Sequence, residues 1–368
     1  MSIAMVGAKL IRSPGLTGDH VRVLLAEAAG DLERICEPEV IARVRLPVAA
    51  REFLRKPEEA ELAADLDWLR ASGARLLLWG VEGYPRPLAA IRSAPPALYV
   101  MGELEALNTP QLAMVGARQA SPAGKAIARK FAAALARSGL TITSGLAIGI
   151  DAASHEGALA VEGRTVAVLG GGIACLYPPE NAGLARRILA AGALVSEFPP
   201  RTTPKPRNFP QRNRVISGLA LGTLVVEAAE GSGSLITAQK AADQGREVFA
   251  VPGPVTSPLS FGCHKLIQDG AHLVTGPADV LRGLQFHKEF QILMPCEVGG
   301  CNDRDPPAPL DKEYEMLLDA LGFEPATIDT LVARSGLPGE SIASMLLILE
   351  LEGRIAPYPG GLYGRISR

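Results

Sequence analysis

The stretch FPQRNRVISG, residues 209–218, places Arg212, Asn213 and Arg214 ahead of an apolar run, and no acid occurs between Glu197 and Glu227. A guanidinium is a fixed fork of donors that suits carboxylate or phosphate oxygens. These arginines are therefore either tied into the protein or waiting for an anion from outside. The same acid-free interval carries Arg201, Lys205 and Arg207. A second one, between Glu105 and Asp151, carries Arg118, Lys125, Arg129, Lys130 and Arg137. With a formal net charge of -2 over the whole chain, this positive charge is local rather than global. Arg129, Lys130 and Arg137 read better as a solvated helix face than as a site.

Three further loops offer complementary groups. VGARQASPAG supplies Arg118 and Ser121, and SGLAIGIDAASH supplies Ser144 and Gly145 ahead of Asp151 and His155. GSGSLITA supplies Gly231, Ser232, Gly233, Ser234 and Thr237. Glycine-rich turns that open helices attract anions, because N–H groups and the helix dipole both point outward there. Phosphate recognition is the chemistry these types and spacings favour. A Walker A loop is absent, since Gly124–Lys125 is not followed by Ser or Thr. No G-x-G-x-x-G follows a strand; LGGGIACLYP is the nearest approach. Asp151 and His155 share a helix face, yet Ser144 is not in a G-x-S-x-G elbow, so the pair reads as structural, fixing the preceding loop. Glu227, just ahead of the glycine loop, is the one candidate base for an enzyme acting on nucleotides or their phosphoribosyl parts. It lacks a second positioned acid. Cys296 and Cys301 bracket EVGG without a second ligand pair, so no metal is expected.

The elements that must carry these loops follow from periodicity. The 368 residues are 48% hydrophobic, but no apolar run approaches the ~18–20 residues of a membrane span. The N-terminus lacks a secretory pattern, and five scattered cysteines fit a reduced, cytoplasmic protein. Residues 1–75 read as a small helical module, and the proline-bearing segment 76–109 as a connection joined to the core. Over 110–285, short apolar strands alternate with helices, the pattern of a doubly wound, mostly parallel α/β sheet covered on both faces. Residues 286–310 read as a linker. Residues 311–368 give three helical patterns and a Gly-rich hairpin, the winged-helix plan. Its third helix carries Glu340, Glu350 and Glu352 before Arg354. That is acidic for a helix reading duplex DNA, and leaves a packing or dimerisation role open beside it.

Taken in order, the motifs resemble the DNA-processing protein A family (DprA/Smf). They run from YPRPL and PPALYVMG through MVGARQASPAG, TSGLAIGIDAASHEGAL, VLGGGIACLYPPEN and SEFPP. FPQRNRVISGLA, VVEAAEGSGSLITAQKAADQGREVFAVPG and GCHKLIQDGA complete the series, which spans about Tyr84 to Val274. The resemblance implies a Rossmann-like core, an N-terminal sterile-alpha-motif-like module and a C-terminal winged-helix-like domain. It implies a non-enzymatic homodimer that binds single-stranded DNA without strong sequence preference and helps load the RecA recombinase during natural transformation or recombination. Carried onto this chain, the binding pocket draws on Arg118, Ser121, Ser144, Gly145, Arg212, Asn213 and Arg214, with Gly231, Ser232, Gly233, Ser234 and Thr237 in its wall. No cofactor is implied. A DNA phosphate would then be the missing partner of Arg212 and Arg214, the rival being neutralisation by Glu197 or Glu227. Phe209 is a candidate stacking face, with a core anchor as the better reading.

Overall fold

The computed structural model describes residues 2–284, 312–322, 326–351, 355–358 and 362–365. The chain divides into two compact units, Met1–Pro295 and Cys296–Arg368.

The first unit is built on a nine-stranded sheet. Its strands are β1 (Arg75–Leu78), β2 (Ala97–Gly102), β3 (Gln111–Val115), β4 (Thr141–Ser144), β5 (Thr165–Val168), β6 (Gly192–Ser196), β7 (Gly222–Val225), β8 (Glu247–Ala250) and β9 (His272–Leu273). They are ordered β1-β2-β6-β5-β4-β3-β7-β8-β9. The run from β6 to β9 is parallel, and β1 and β2 extend it antiparallel at the β6 edge. This is a Rossmann-like, doubly wound sheet. The segment expected as a connection is thus also part of the sheet, its prolines bounding the two strands rather than interrupting them.

Every residue of β3, β4, β5, β6 and β7 is buried, as required when helices cover both faces. Side chains alternate across the pleat. Ala113 and Val115 join one core layer, with Val215, Ile216 and Leu219 of helix Asn208–Leu219 and Ala238 of helix Gly233–Asp243. Leu112 and Met114 join the other, with Phe131 and Leu135 of helix Pro122–Arg137 and Ala153 and Ala158 of helix Ile150–Leu159. Most polar residues in these buried strands are satisfied locally, the Thr223 hydroxyl of β7 being the exception. The Gln111 amide donates to Leu107 O at 2.9 Å, and the Ser144 hydroxyl donates to Met114 O at 2.6 Å.

Residues 3–72 form five helices whose apolar residues, among them Val6, Leu10, Leu24 and Ile41, pack together with Leu78 and Ala97 of the sheet edge. Within the module, Arg12 of the first helix pairs with Asp65 of the fifth, its Nε lying 2.6 Å from Oδ2. In the second unit, helices Lys312–Leu321, Ile328–Ser335 and Gly339–Leu351 precede strands Ile355–Tyr358 and Leu362–Arg365, which pair antiparallel. The short strand Ala326–Thr327 completes a three-stranded wing. Glu352, Arg354, Cys296, Cys301 and the expected linker 286–310 lie outside the described residues. No described helix is long and apolar enough to cross a membrane.

Helices Pro122–Arg137 and Ile150–Leu159 touch backbone to side: a Cβ on Gly157 would lie 2.4 Å from the Arg129 carbonyl oxygen. Gly157→Val is therefore expected to force the helices apart and lower stability by about 1–3 kcal/mol, read as a lower urea midpoint with the slope unchanged. An unmoved midpoint would mean this contact is not tight in solution.

Candidate functional site

In a doubly wound sheet, ligands bind where strand order reverses, beyond the carboxyl ends of the strands. Here the reversal lies at β3 and β7: the chain winds from β3 to β4, β5 and β6 in one direction, then returns to place β7 on β3's other side. A cleft of about 950 Å³ opens there, between the loops that follow β3, β4 and β7 and the segment leading into helix Asn208–Leu219.

After β3, Arg118 is exposed in the cleft, its guanidinium carbon 5.2 Å from the Phe209 ring centroid. Ser121 then caps helix Pro122–Arg137, its hydroxyl oxygen accepting from Gly124 N at 2.9 Å. The same hydroxyl donates to Glu227 Oε1 at 2.6 Å, and Ser121 N donates to Oε2 at 2.9 Å. A Cβ on Gly124 would be 2.2 Å from the Glu227 carboxyl carbon. The anion at this helix N-terminus is thus the protein's own Glu227, and Ser121 is not among the residues lining the cleft.

After β4, the loop turns back on itself. Gly145 N and Ala147 N donate to Asp151 Oδ2 at 3.1 and 3.4 Å. Gly149 has φ 89°, and a Cβ there would meet Ala117 O at 2.3 Å, so only glycine allows this turn to seat against the β3 loop. Asp151 is buried, which holds its carboxyl above the ordinary range against the pull of Arg212 and the two N–H groups. His155 is fully enclosed, with Nδ1 2.6 Å from Thr165 Oγ1. The Thr165 hydroxyl donates to Ile142 O at 2.7 Å, so the imidazole N–H donates to Thr165. Burial, then the Arg212 charge, lowers the His155 pKa to about 3. Asp151 and His155 therefore hold the loop and the strand behind it, each through its own partners.

Arg212 is 4% exposed. Its Nη1 donates to Gly145 O at 2.8 Å and also to Val168 O, and its Nε donates to Asn213 Oδ1 at 3.3 Å. Burial brings its pKa down to about 10, against Asp151, which raises it, and with Arg118, which lowers it further. A Cβ on Gly145 would stand 2.6 Å from Nη1. Asn213 Nδ2 donates to Gly233 O at 3.3 Å, tying this helix to the glycine loop. Arg214 points elsewhere: it is ion-paired with buried Glu197 and donates to Ser93 O. The expectation that Arg212 and Arg214 are unpaired is corrected on both counts. Arg214 has a buried carboxylate, and Arg212 has two carbonyls with Asp151 opposing its charge. Glu197 was the rival partner named from the sequence, and it is Arg214 that it neutralises; Asp151 was not foreseen, because it approaches Arg212 only through the fold.

After β7, Ser232 caps helix Gly233–Asp243, accepting from Ser234 N at 3.4 Å, and its hydroxyl lies 2.8 Å from that of Ser234. Gly231, Ser232, Gly233, Ser234 and Thr237 line the cleft with Arg118, Arg212 and Asn213, while Ser144, Gly145 and Arg214 do not. Glu230 also lines it. Positive charge in the cleft comes from exposed Arg118; Lys205 and Arg207 are exposed as well and neighbour the lining residues Pro204 and Pro206 along the chain, without lining the cleft themselves. Tyr177, Ile148 and Ile236 line the cleft as well, although the sequence had singled out none of them. None of the three carries charge or is a glycine; Tyr177 and Ile148 sit in loops and Ile236 in the first turns of helix Gly233–Asp243.

A parallel sheet with a polar crevice at its switch point, walled by an exposed arginine and a serine-capped helix N-terminus, defines a Rossmann-like protein with a candidate anion site. The chain belongs to the DNA recombination-mediator protein A family, which it matches over residues 75–285, and residues 302–361 match the DprA winged helix domain. Protein Smf of Escherichia coli is 45% identical over 320 residues, covering 87% of this chain and 84% of that protein. DNA processing protein DprA of Streptococcus pneumoniae is 44% identical over 203 residues, 55% of this chain and 72% of that one. The X-ray structure of DprA from Streptococcus pneumoniae superposes with a TM-score of 0.67 at 35% identity, covering 78% of this chain and 99% of that chain. A Helicobacter pylori DNA processing protein A structure, described for its single-stranded DNA binding mode, gives a TM-score of 0.52 at 26% identity over 57% of this chain and 95% of that chain.

Two predictions separate the buried cation from the exposed one and test the enclosed imidazole. Arg212→Ala removes the donor to two buried strand-end carbonyls and is expected to cost about 1–3 kcal/mol for each group left unsatisfied, whereas Arg118→Ala unfolds in urea as the parent chain does. Equal midpoints for the two variants would contradict the strut assignment. His155 takes up its proton near 6.5 when unfolded but only at about 3 when folded, so the unfolded state binds the extra proton between these values. Its contribution to stability is present above pH 6.5 and falls, by up to about 1.4 kcal/mol per pH unit, as pH drops through that window. Asp151 and Glu197, held above their ordinary range, act in the opposite sense. Comparing the parent with His155→Gln isolates the imidazole: the variant's urea midpoint is expected to depend less steeply on pH between 7 and 5.

Proposed function

We propose that this chain binds single-stranded DNA in the switch-point cleft, without strong sequence preference, and passes it to a RecA-type recombinase during transformation or recombination. The observation that carries the reading is the exposed Arg118 guanidinium set over the Phe209 ring, opposite the Ser232-capped helix N-terminus. A phosphate placed between them meets a planar cation on one side and the positive end of a helix dipole on the other. Gly231, Ser232, Gly233 and Ser234 let the backbone and two hydroxyls approach the strand, and Thr237 and Asn213 close the wall behind them. Arg212 acts by holding the β4 and β5 ends beneath the cleft, and Ser121, Ser144, Gly145 and Arg214 support the same loops from outside it.

Family membership and the Helicobacter pylori relative's single-stranded DNA binding support the polymer as ligand. The proposed action is binding and hand-over, with no bond made or broken. Glu227, the candidate base of a nucleotide-processing enzyme, is engaged by Ser121 N and the Ser121 hydroxyl instead of standing open to a substrate. We place the action in the cytoplasm, in a homodimer whose two clefts hold one strand together, so that the second contact profits from a high effective concentration. The winged-helix unit is assigned no partner here, duplex DNA being one outcome of the titration.

The test is a fluorescence-anisotropy titration of a ~30-nucleotide single strand and its duplex over a salt series. Single-strand preference with a log–log slope of several units is expected, each neutralised phosphate contributing about 0.7. Arg118→Ala should weaken binding to all sequences alike and lower the slope by about one such contribution. Unchanged affinity and slope in that variant would remove Arg118 from the site, and equal or tighter duplex binding would move the activity to the winged-helix unit.

A further inference from the structure

Charge accounts for only part of this cleft's lining. Three of the large apolar side chains exposed among the described residues are gathered on it: Tyr177 at 49% exposure, Ile148 at 44% and Ile236 at 40%. They come from three separate loops or helices, following β5, following β4 and within helix Gly233–Asp243. Asn181 Nδ2 donates to Leu146 O at 2.8 Å, tying the loop that carries Tyr177 to the loop that carries Ile148. Leaving such surface in water is unfavourable, and its place on the same cleft as the cation and the helix N-terminus makes it continuous with the proposed phosphate site.

Phe209 is not free to serve as the stacking face. A Cβ on Gly170 would come within 2.8 Å of its ring, and the Arg118 and Arg212 guanidinium carbons lie 5.2 and 5.8 Å from its centroid. Its ring is packed on Gly170 and attended by two cations, which makes it a wall. Tyr177 leans on that wall, centroid to centroid 6.0 Å at 57°, and is itself half exposed.

We propose that Tyr177, with Ile148 and Ile236, forms a rim that takes unpaired nucleobases, so that the cleft recognises a strand as single by its uncovered base faces. The inference deepens the single-stranded DNA reading and rests on it. Every base offers a π-face, so stacking on Tyr177 tolerates any sequence. In a duplex those faces are already stacked within the helix, and the rim gains nothing. Phosphate contacts alone would be satisfied by either form, so the rim is the element that separates them.

The experiment titrates the full chain with a ~20-nucleotide oligothymidylate and with an abasic strand of the same length and phosphate number, over a salt series. The parent is expected to bind oligothymidylate more tightly. Tyr177→Ala should weaken that binding by about five- to a hundredfold while leaving the abasic strand and the salt slope unchanged. Tyr177→Phe should bind as the parent does, and Ile148→Ser with Ile236→Ser should act in the same direction as Tyr177→Ala. Equal parent affinity for the two strands would overturn the base-contact rim but leave phosphate binding standing. So would a Tyr177→Ala loss of equal size on both. Absence of binding to either strand at low salt would overturn the single-stranded DNA reading itself, and the rim with it.

Discussion

Arg212 reaches from helix Asn208–Leu219 to the carboxyl ends of β4 and β5, where it donates to the carbonyls of Gly145 and Val168. Strand ends present carbonyls that nothing in the sheet satisfies, and at a switch point they face a crevice instead of a covering helix. One planar guanidinium with several donors can close two of them at once. Asp151 keeps the cation from being a lone buried charge, and the same carboxylate accepts the N–H groups of Gly145 and Ala147. Strand ends, loop and crossing helix are thereby joined through one buried guanidinium and the carboxylate whose charge opposes it. Such an arrangement costs desolvation, and it suits a site whose walls must hold their spacing.

The cations of the two acid-free stretches fall into distinct groups by burial. Arg212 and Arg214 are inside and partnered; Arg129 pairs with Glu156 across the two helices. Arg118, Lys205 and Arg207 are exposed, Arg118 within the cleft. Desolvation explains the division. A buried guanidinium has already lost its water to carbonyls and a carboxylate, and has little left to offer a ligand. An exposed one can exchange water for phosphate at small cost. Likewise Glu227 fills the N-terminus of helix Pro122–Arg137, which leaves the helix after β7 as the dipole end that faces the cleft.

The parallel core was legible because its strands are short, β-branched and fully buried, and because glycine and polar residues mark each strand end. The winged-helix tail was legible from helical periodicity and a Gly-rich hairpin. Where reading fell short, the cause is local. Helix Asn208–Leu219 begins well ahead of the apolar run that marks it in the sequence; it can do so because Pro210 lies in its first turn, where a missing N–H has no intrahelical partner to lose. The strands Arg75–Leu78 and Ala97–Gly102 were masked by the prolines between them. Tyr177 carries no charge and sits in a proline-rich turn that nothing in the local pattern marks.

By itself, then, the amino-acid sequence determined the order of strands and helices, the loops able to meet an anion, the local surplus of positive charge and the family. Each of these is a property of neighbours along the chain, or of motifs in series. The tertiary structure decided which arginine is a strut and which is free, that Glu197 and Asp151 are their counter-charges, and that Tyr177, Ile148 and Ile236 share a rim with Arg118. Those outcomes depend on burial and on distances between residues far apart in the chain. The crossover that carries helix Asn208–Leu219 from β6 back to β7 sets them, because it takes Arg212 across the carboxyl ends of β5 and β4.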